Sequence, residues 1–386
     1  MPGSRRALLS GILGLLAACR VAPPRRCRGR EPPRGVDAPD DALVAAGGAI
    51  DGDLDAGSTA RLDAALTAMH TATRAPGVSA AVAVAGRGCW SRQLGLALAD
   101  PATPLAGSAR FQAASIGKLM TAVTILRMVE RGQLTLDARL ERWFPDFPDS
   151  AYVTIDQLLR HTGGVHDFTA DARDEDDNLR YRDPTALIAE AAAGAPAFCP
   201  GTAWGYSNTG YVMLGRIAEA VGGAPFARVL ATEVFAPAGL RDTAVNVPRV
   251  QPAVRGHRGG VALPASIDHA TPFSAGGVAA SAADLVRLLH ATLAGSLLRP
   301  TTVRRMLTNM LPMFGDPRQR YGAGIMLYTI PEGPGTMIGH SGGARGCRAV
   351  VAYLPADTAY VAVLFNDEIP AEAGLWALVR ALRANP

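Results

Sequence analysis

Lysine is all but absent from this chain. Of the 38 basic residues among its 386, every one is arginine except Lys118. Arginine can supply surface charge and cover apolar carbon, but it keeps its proton in proteins. A desolvated lysine amine can instead fall several pK units and act as a base. A lone lysine three residues after a serine, in Ser115-Ile116-Gly117-Lys118 at the start of an apolar helical pattern, is therefore the first candidate for chemistry. An excess of one charge sign is also missing. The formal net charge is +4, and the first 57 residues hold eight arginines against seven acids, so no concentrated basic face is left and nucleic acid is not expected as a partner. The uncharged stretch Ala7–Ala18 has twelve residues, too few to cross a bilayer. Neither His-x-His nor His-Glu-x-x-His occurs, and none of the five cysteines has metal-ligand spacing, so no metal is expected; an organic cofactor is not expected either. With 48% hydrophobic and 19% charged residues the chain is neither disordered nor a small disulfide scaffold. One large domain or two interleaved subdomains, monomeric, is the expectation.

The N-terminus has Arg5-Arg6, the short apolar stretch and then Cys19, the flanks of a secretory signal. Leu16-Ala17-Ala18-Cys19 resembles the lipobox of bacterial lipoproteins, whose cysteine becomes the lipidated first residue, and Ser4-Arg5-Arg6 resembles a twin-arginine export signal. The expectation is a signal over 1–19 and an exported protein of the periplasm or cell envelope, held to a membrane through a lipid on Cys19. Residues 20–57, rich in Arg, Pro, Gly, Ala and Asp without an apolar period, read as a flexible tether. Cys19 and Cys27 fall in these segments. An oxidising compartment then permits one bridge among the three pairings of Cys89, Cys199 and Cys347.

From residue 58 the body begins with an amphipathic helix bearing Leu62, Ala65, Leu66 and Met69, ended by Pro76-Gly77. Val78–Ala85, Trp90–Leu98 and Arg110–Ala113 read as strands of an antiparallel meander. A buried helix follows over Ser115–Glu130, stopped at Gly132. Helix and loop dominate to about 270, including Thr154–Arg160, Gly210–Val221 and an exposed acidic loop at Asp171–Asp177. A helix over Ala282–Ala294 capped by Ser281, strands at Gly324–Thr329, Arg348–Leu354 and Tyr360–Phe365, and a helix over Ala371–Arg383 complete the chain. Strands at both ends around a helical middle imply an α/β fold of the α+β kind. It would be an antiparallel sheet flanked by helices, formed by 58–113 plus 275–386, with a mostly helical subdomain, 114–274, inserted between.

Serine and lysine three apart at a helix start share one face and lie about one turn apart, which suits a nucleophile and its base. Tyr206-Ser207-Asn208, after the turn Pro200-Gly201 and before a helix, brings a phenol able to relay a proton and a carboxamide able to hold a substrate amide. Gly339-His340-Ser341-Gly342-Gly343 adjoins the C-terminal strands. His161-Thr162-Gly163 and His257-Arg258-Gly259 share the His-x-Gly spacing but lie elsewhere in the chain, and His161 reads as structural.

Ser-x-x-Lys, Tyr-x-Asn and a late His-x-Gly in this order resemble the serine β-lactamase and penicillin-recognising superfamily. Leu158–Gly164, Pro200–Tyr211 and Ala275–Val278 resemble its class C, D-alanyl-D-alanine carboxypeptidase and family VIII esterase branch, and the likeness runs from about 59 to 384. It implies a β-lactamase/transpeptidase-like fold in which Ser115 is acylated, Lys118 is the base and Tyr206 moves the proton at the leaving group. It further implies that Asn208 binds the substrate amide, that His340 and Ser341 line the opposite strand, and that the backbone N–H groups of Ser115 and Gly343 form the oxyanion hole. The implied substrate is a small molecule or cell-wall peptide. Class C enzymes carry lysine where this chain has His340. An imidazole attracts a carboxylate less than an ammonium does, which favours peptide or ester cleavage over lactam hydrolysis. Arg345, or Arg348, is the alternative carboxylate ligand.

Gly339–Gly343 also fits the Gly-x-Ser-x-Gly nucleophile elbow, but no histidine follows His340 to serve Ser341, and strand rather than helix follows the motif. A penicillin-binding sensor acylated without turnover would use the same pocket.

Overall fold

The computed structural model describes residues 27, 31–39, 47–170 and 180–384. Cys19 with its signal, and the acidic run Asp171–Asp177, lie outside these residues. Nine strands form one antiparallel sheet in the order Thr103–Pro104, Gly88–Leu98, Gly77–Val84, Ala359–Phe365, Cys347–Leu354, Gly335–Ala344, Met326–Ile330, Asp316–Tyr321, Leu311–Met313. First and last thirds of the chain thus meet at the sheet's centre, where Val78 pairs with Phe365 and Val84 with Ala359.

Side chains that alternate along a strand go to opposite faces, and both faces of this sheet are apolar. Val78, Ala80, Val82, Val361, Val363 and Phe365 pack under the two terminal helices, Ala56–Thr73 and Ala371–Arg383. Ala81, Ala83, Val351, Ala362 and Leu364 meet the other core, built with the helices Gly117–Glu130, Asn208–Gly222 and Ala282–Leu293. The result is a sheet between two helical layers, as the sequence implies.

Three expectations are corrected. Phe111–Gln112 does not extend the meander: it pairs with Val278–Ala280 in a separate sheet with Thr243–Val245, and leads the chain from the large sheet to the helix Gly117–Glu130. The stretch read as a tether is not one where it is described. Val36 and Met310 exchange backbone hydrogen bonds, Leu54 is buried, and Leu54 N–H donates to Cys89 O. Finally, the bridge joins Cys27 to Cys199, and among the described residues Cys89 and Cys347 are free thiols. Local composition makes Cys27 read as part of a tether, whereas Cys27 itself is buried. Among the described residues no helix is long and apolar enough to cross a membrane.

Candidate active site

Ser115 sits in a one-turn 3₁₀ segment, Ala114–Ile116, directly before the helix Gly117–Glu130. Ala114 takes a φ of 48°, a left-handed conformation that costs an alanine energy and turns the chain sharply into the helix. The strand Gly335–Ala344 crosses this turn so closely that a Cβ at Gly342 would run into Ala113 O. Packing therefore presses the His340–Gly343 segment against the serine.

Lys118 lies one turn on, with no exposed surface. Its Nζ is 3.2 Å from Ser115 Oγ, 2.7 Å from Asn208 Oδ1 and 2.7 Å from Ala275 O. Both carbonyl oxygens only accept, so they take two N–H groups. A neutral amine has two, and its lone pair then faces the serine hydroxyl. Burial drives the lysine toward that neutral form, down to about 7, against the pull of the Asp167 charge.

Asp167, which the motifs did not mark as part of this site, fixes the carboxamide. Asn208 Nδ2 donates to Asp167 Oδ2 at 3.1 Å, and since a carboxylate only accepts, Oδ1 must face the lysine. Asn208 is the first residue of its helix, whose cap Ser207 accepts from Gly210 N–H at 3.2 Å. A substrate amide expected at Asn208 therefore meets a carboxamide already bonded to the Lys118 amine.

Tyr206 OH donates to Ser115 Oγ at 2.8 Å, and burial raises this phenol above its ordinary range, so it stays protonated. His161 supports it. Its Nδ1 accepts from Ser207 N–H at 3.1 Å, and its ring lies 4.4 Å from the Tyr206 ring. Burial lowers its pKa well below the usual imidazole value, keeping it neutral, as a structural role requires.

His340 does not line the site. Neighbours on a strand alternate in direction: Ser341 and Gly343 face the opening, whereas His340 points inward with no exposed surface. Nδ1 donates to Ser341 O at 2.6 Å, Nε2 lies 3.1 Å from Tyr321 OH, and burial pushes the imidazole down to about 3. It can present neither charge nor hydrogen bond to a substrate. Ser341 Oγ is 3.0 Å from Tyr328 OH.

Two cavities meet at the serine, and Ser115 and Gly343 are the residues that line both. One, about 240 Å³, also holds Asn208, Asp268, Arg345 and Gln112. Arg345 is thus brought to the site, whereas Arg348 donates to Ala344 O and Cys347 O on its own turn. Gln112 is only 2% exposed. Its Oε1 accepts from Asn246 Nδ2 at 2.7 Å, while its own Nε2 has no partner, leaving one buried donor at this wall. The other cavity, about 540 Å³, has Tyr206, Ser341, Phe314, Asp316, Arg318 and Glu372 in its wall. Among the described residues no cluster of His, Cys, Asp and Glu is placed to hold a metal ion.

A serine beside a buried amine, on an antiparallel sheet covered by helices, is the arrangement of a serine hydrolase of the β-lactamase/transpeptidase fold. The chain belongs to the Beta-lactamase family, whose profile matches residues 62–384. Esterase EstB of Burkholderia gladioli is 29% identical to it, over 74% of this chain and 80% of that protein. Penicillin-binding protein 4* of Bacillus subtilis (strain 168) is 36% identical over 153 residues, and the chain spans 33% of that protein's length. D-amino acid amidase from Ochrobactrum anthropi SV3 has the same fold, with a TM-score of 0.74 at 24% identity, over 83% of this chain and 98% of that one.

Proposed function

We propose that this hydrolase cleaves esters or amides with uncharged leaving groups through an acyl intermediate on Ser115. The observation that carries the reading is the pair of contacts on Ser115 Oγ, one to a lysine amine held near neutrality and one to a protonated phenol. Lys118 Nζ takes the hydroxyl proton as Oγ bonds to the substrate carbonyl carbon. The carbonyl oxygen gains negative charge beside the backbone N–H groups of Ser115 and Gly343, the two residues common to both cavities. As the bond to the leaving oxygen or nitrogen breaks, Tyr206 OH gives that atom a proton. The phenolate regains one from the Lys118 ammonium, whose nitrogen is 4.7 Å from the Tyr206 ring centroid. Water then takes the place of the serine hydroxyl, and the acid departs.

Because Tyr206 lines the larger cavity, the leaving group belongs there and the acyl group in the smaller one, beside Asn208 and Arg345. The charges favour a neutral leaving group. Arg318 is held by Asp316 at 3.1 Å, Glu372 adds a second carboxylate, and His340 supplies no cation. A leaving group carrying a carboxylate, as in D-alanyl-D-alanine, meets repulsion there. This weighs for the esterase-like reading over the carboxypeptidase-like and β-lactamase ones.

A panel of a short-chain aryl ester, a D-Ala-D-Ala peptide and a chromogenic cephalosporin tests this, with Ser115→Ala as control. The ester should be turned over repeatedly and the control should be inactive on it. Activity retained by Ser115→Ala would remove the nucleophile, and one acylation followed by silence would make the protein a sensor. A second test addresses Asp167. Its charge raises the lysine pKa, so Asp167→Asn should shift the acidic limb of kcat/KM to lower pH, and a limb that stays in place would exclude the coupling.

Export with lipid on Cys19 is also proposed, supported by the signal pattern and by the Cys27–Cys199 bridge, which suits an oxidising compartment. Mass spectrometry of the mature chain should find a lipidated N-terminal Cys19, and a chain still beginning at Met1 would refute it.

A further inference from the structure

The hairpin Leu311–Tyr321 ends in a two-residue turn, since Met313 pairs directly with Asp316. Its central residues, Phe314 and Gly315, have φ of 51° and 79°. Positive φ at both positions is the mark of a type I′ turn, which selects Asn, Asp or Gly at the first of them. A bulky aromatic residue is disfavoured there. Burial does not offset the cost, because Phe314 is 75% exposed and is the most exposed large apolar residue described. Local energetics therefore give no reason for phenylalanine at this place.

Its surroundings do. The Phe314 ring meets Trp204 edge to face with centroids 5.2 Å apart and lies 6.5 Å from the Tyr206 ring. It stands in the wall of the larger cavity with Ser115, Met313, Met326, Tyr328 and Ile330, an apolar rim beside the phenol that protonates the leaving group. An aromatic group bound there would cover the exposed face of Phe314 and remove apolar area from water.

We infer that Phe314 is a specificity residue that binds the leaving group, and that the preferred substrates are esters or amides whose departing alcohol or amine carries an aromatic ring. The inference rests on the acyl-serine reading and deepens it. Arg318, Asp316 and Glu372 line the same cavity, and Arg318 is paired with Asp316.

The test compares benzyl and methyl esters of D-alanine, and the matching benzylamide and methylamide, in wild type, Phe314→Ala and Phe314→Asn. Benzyl alcohol and methanol have similar acidity, so the ratio of kcat/KM within a pair reports binding rather than intrinsic reactivity. Both substitutions should lower the benzyl preference about three- to tenfold, the range of one aromatic contact. Phe314→Asn should at the same time leave Tm unchanged or raise it, since asparagine suits the turn. A benzyl-to-methyl ratio that stays at its wild-type value in both variants overturns the inference while Ser115-dependent turnover stands. So does a fall in Tm with equal losses on every substrate, the result of a structural role. Absence of Ser115-dependent turnover on all four substrates and on the panel above refutes the acyl-serine reading, and this inference with it.

Discussion

Lys118→Arg should reduce kcat/KM at pH 7.5 by at least about 10³-fold, within the range lost when a nucleophile's base is removed. The substitution preserves positive charge and a long carbon stem, so on a surface it would be mild. At this site it is not, because the reaction needs a group that releases its proton near neutrality. Burial brings the Lys118 amine to about 7, whereas a guanidinium remains charged. The two other hydrogen bonds of the amine, to Asn208 Oδ1 and Ala275 O, orient the lone pair, and a planar guanidinium cannot reproduce that arrangement. Arginine is also larger, and Lys118 is wholly buried, so overpacking could mimic the effect. Lys118→Met answers this. It keeps the volume and removes the amine, and it should be equally inactive while its thermal transition remains cooperative. An arginine variant within tenfold of wild type would show that position 118 need not lose a proton.

Tyr206→Phe should separate substrates by their leaving groups. On an alkyl ester or an amide, whose departing atom needs a proton, kcat/KM should drop by about 10²- to 10⁴-fold, the usual contribution of a positioned acid. On a p-nitrophenyl ester the leaving phenolate is stable without one, and the drop should be at least tenfold smaller. The direction follows from the environment of the phenol: burial raises its pKa, so it enters the reaction protonated and donates. Equal losses on both substrates would give Tyr206 a different task, such as taking the proton from Ser115.

Much of this was legible in the sequence, for physical reasons that differ between residues. Ser115 and Lys118 are adjacent on one helix, so periodicity alone brings them together. The central strands were legible because they are buried on both faces, and Tyr360–Phe365 reads as an unbroken apolar run. Asp167 was not legible as part of the site, since its role depends on a contact with Asn208, 41 residues away. His340 shows the opposite failure. Its motif position is plain in the sequence, but whether a strand residue faces a cavity or the core is decided by register, and one step along the strand exchanges the two. Cys27 is not legible as a bridge partner because local composition resembles a tether, while the bridge to Cys199 spans 172 residues. Phe314 lies in a segment, Leu311–Tyr321, that carries no strand signal, so its place beside Tyr206 depends on the folded sheet.

Because Lys118 is the chain's one lysine, protein made with lysine labelled with ¹³C at Cε should give a single lysine side-chain signal. Following its chemical shift with pH measures the group on which the account depends. The expected midpoint is about 7, more than three units below the ordinary lysine value of 10.5. A midpoint near 10 would mean that the amine is charged when Ser115 must lose its proton, and would contradict Lys118 as the base.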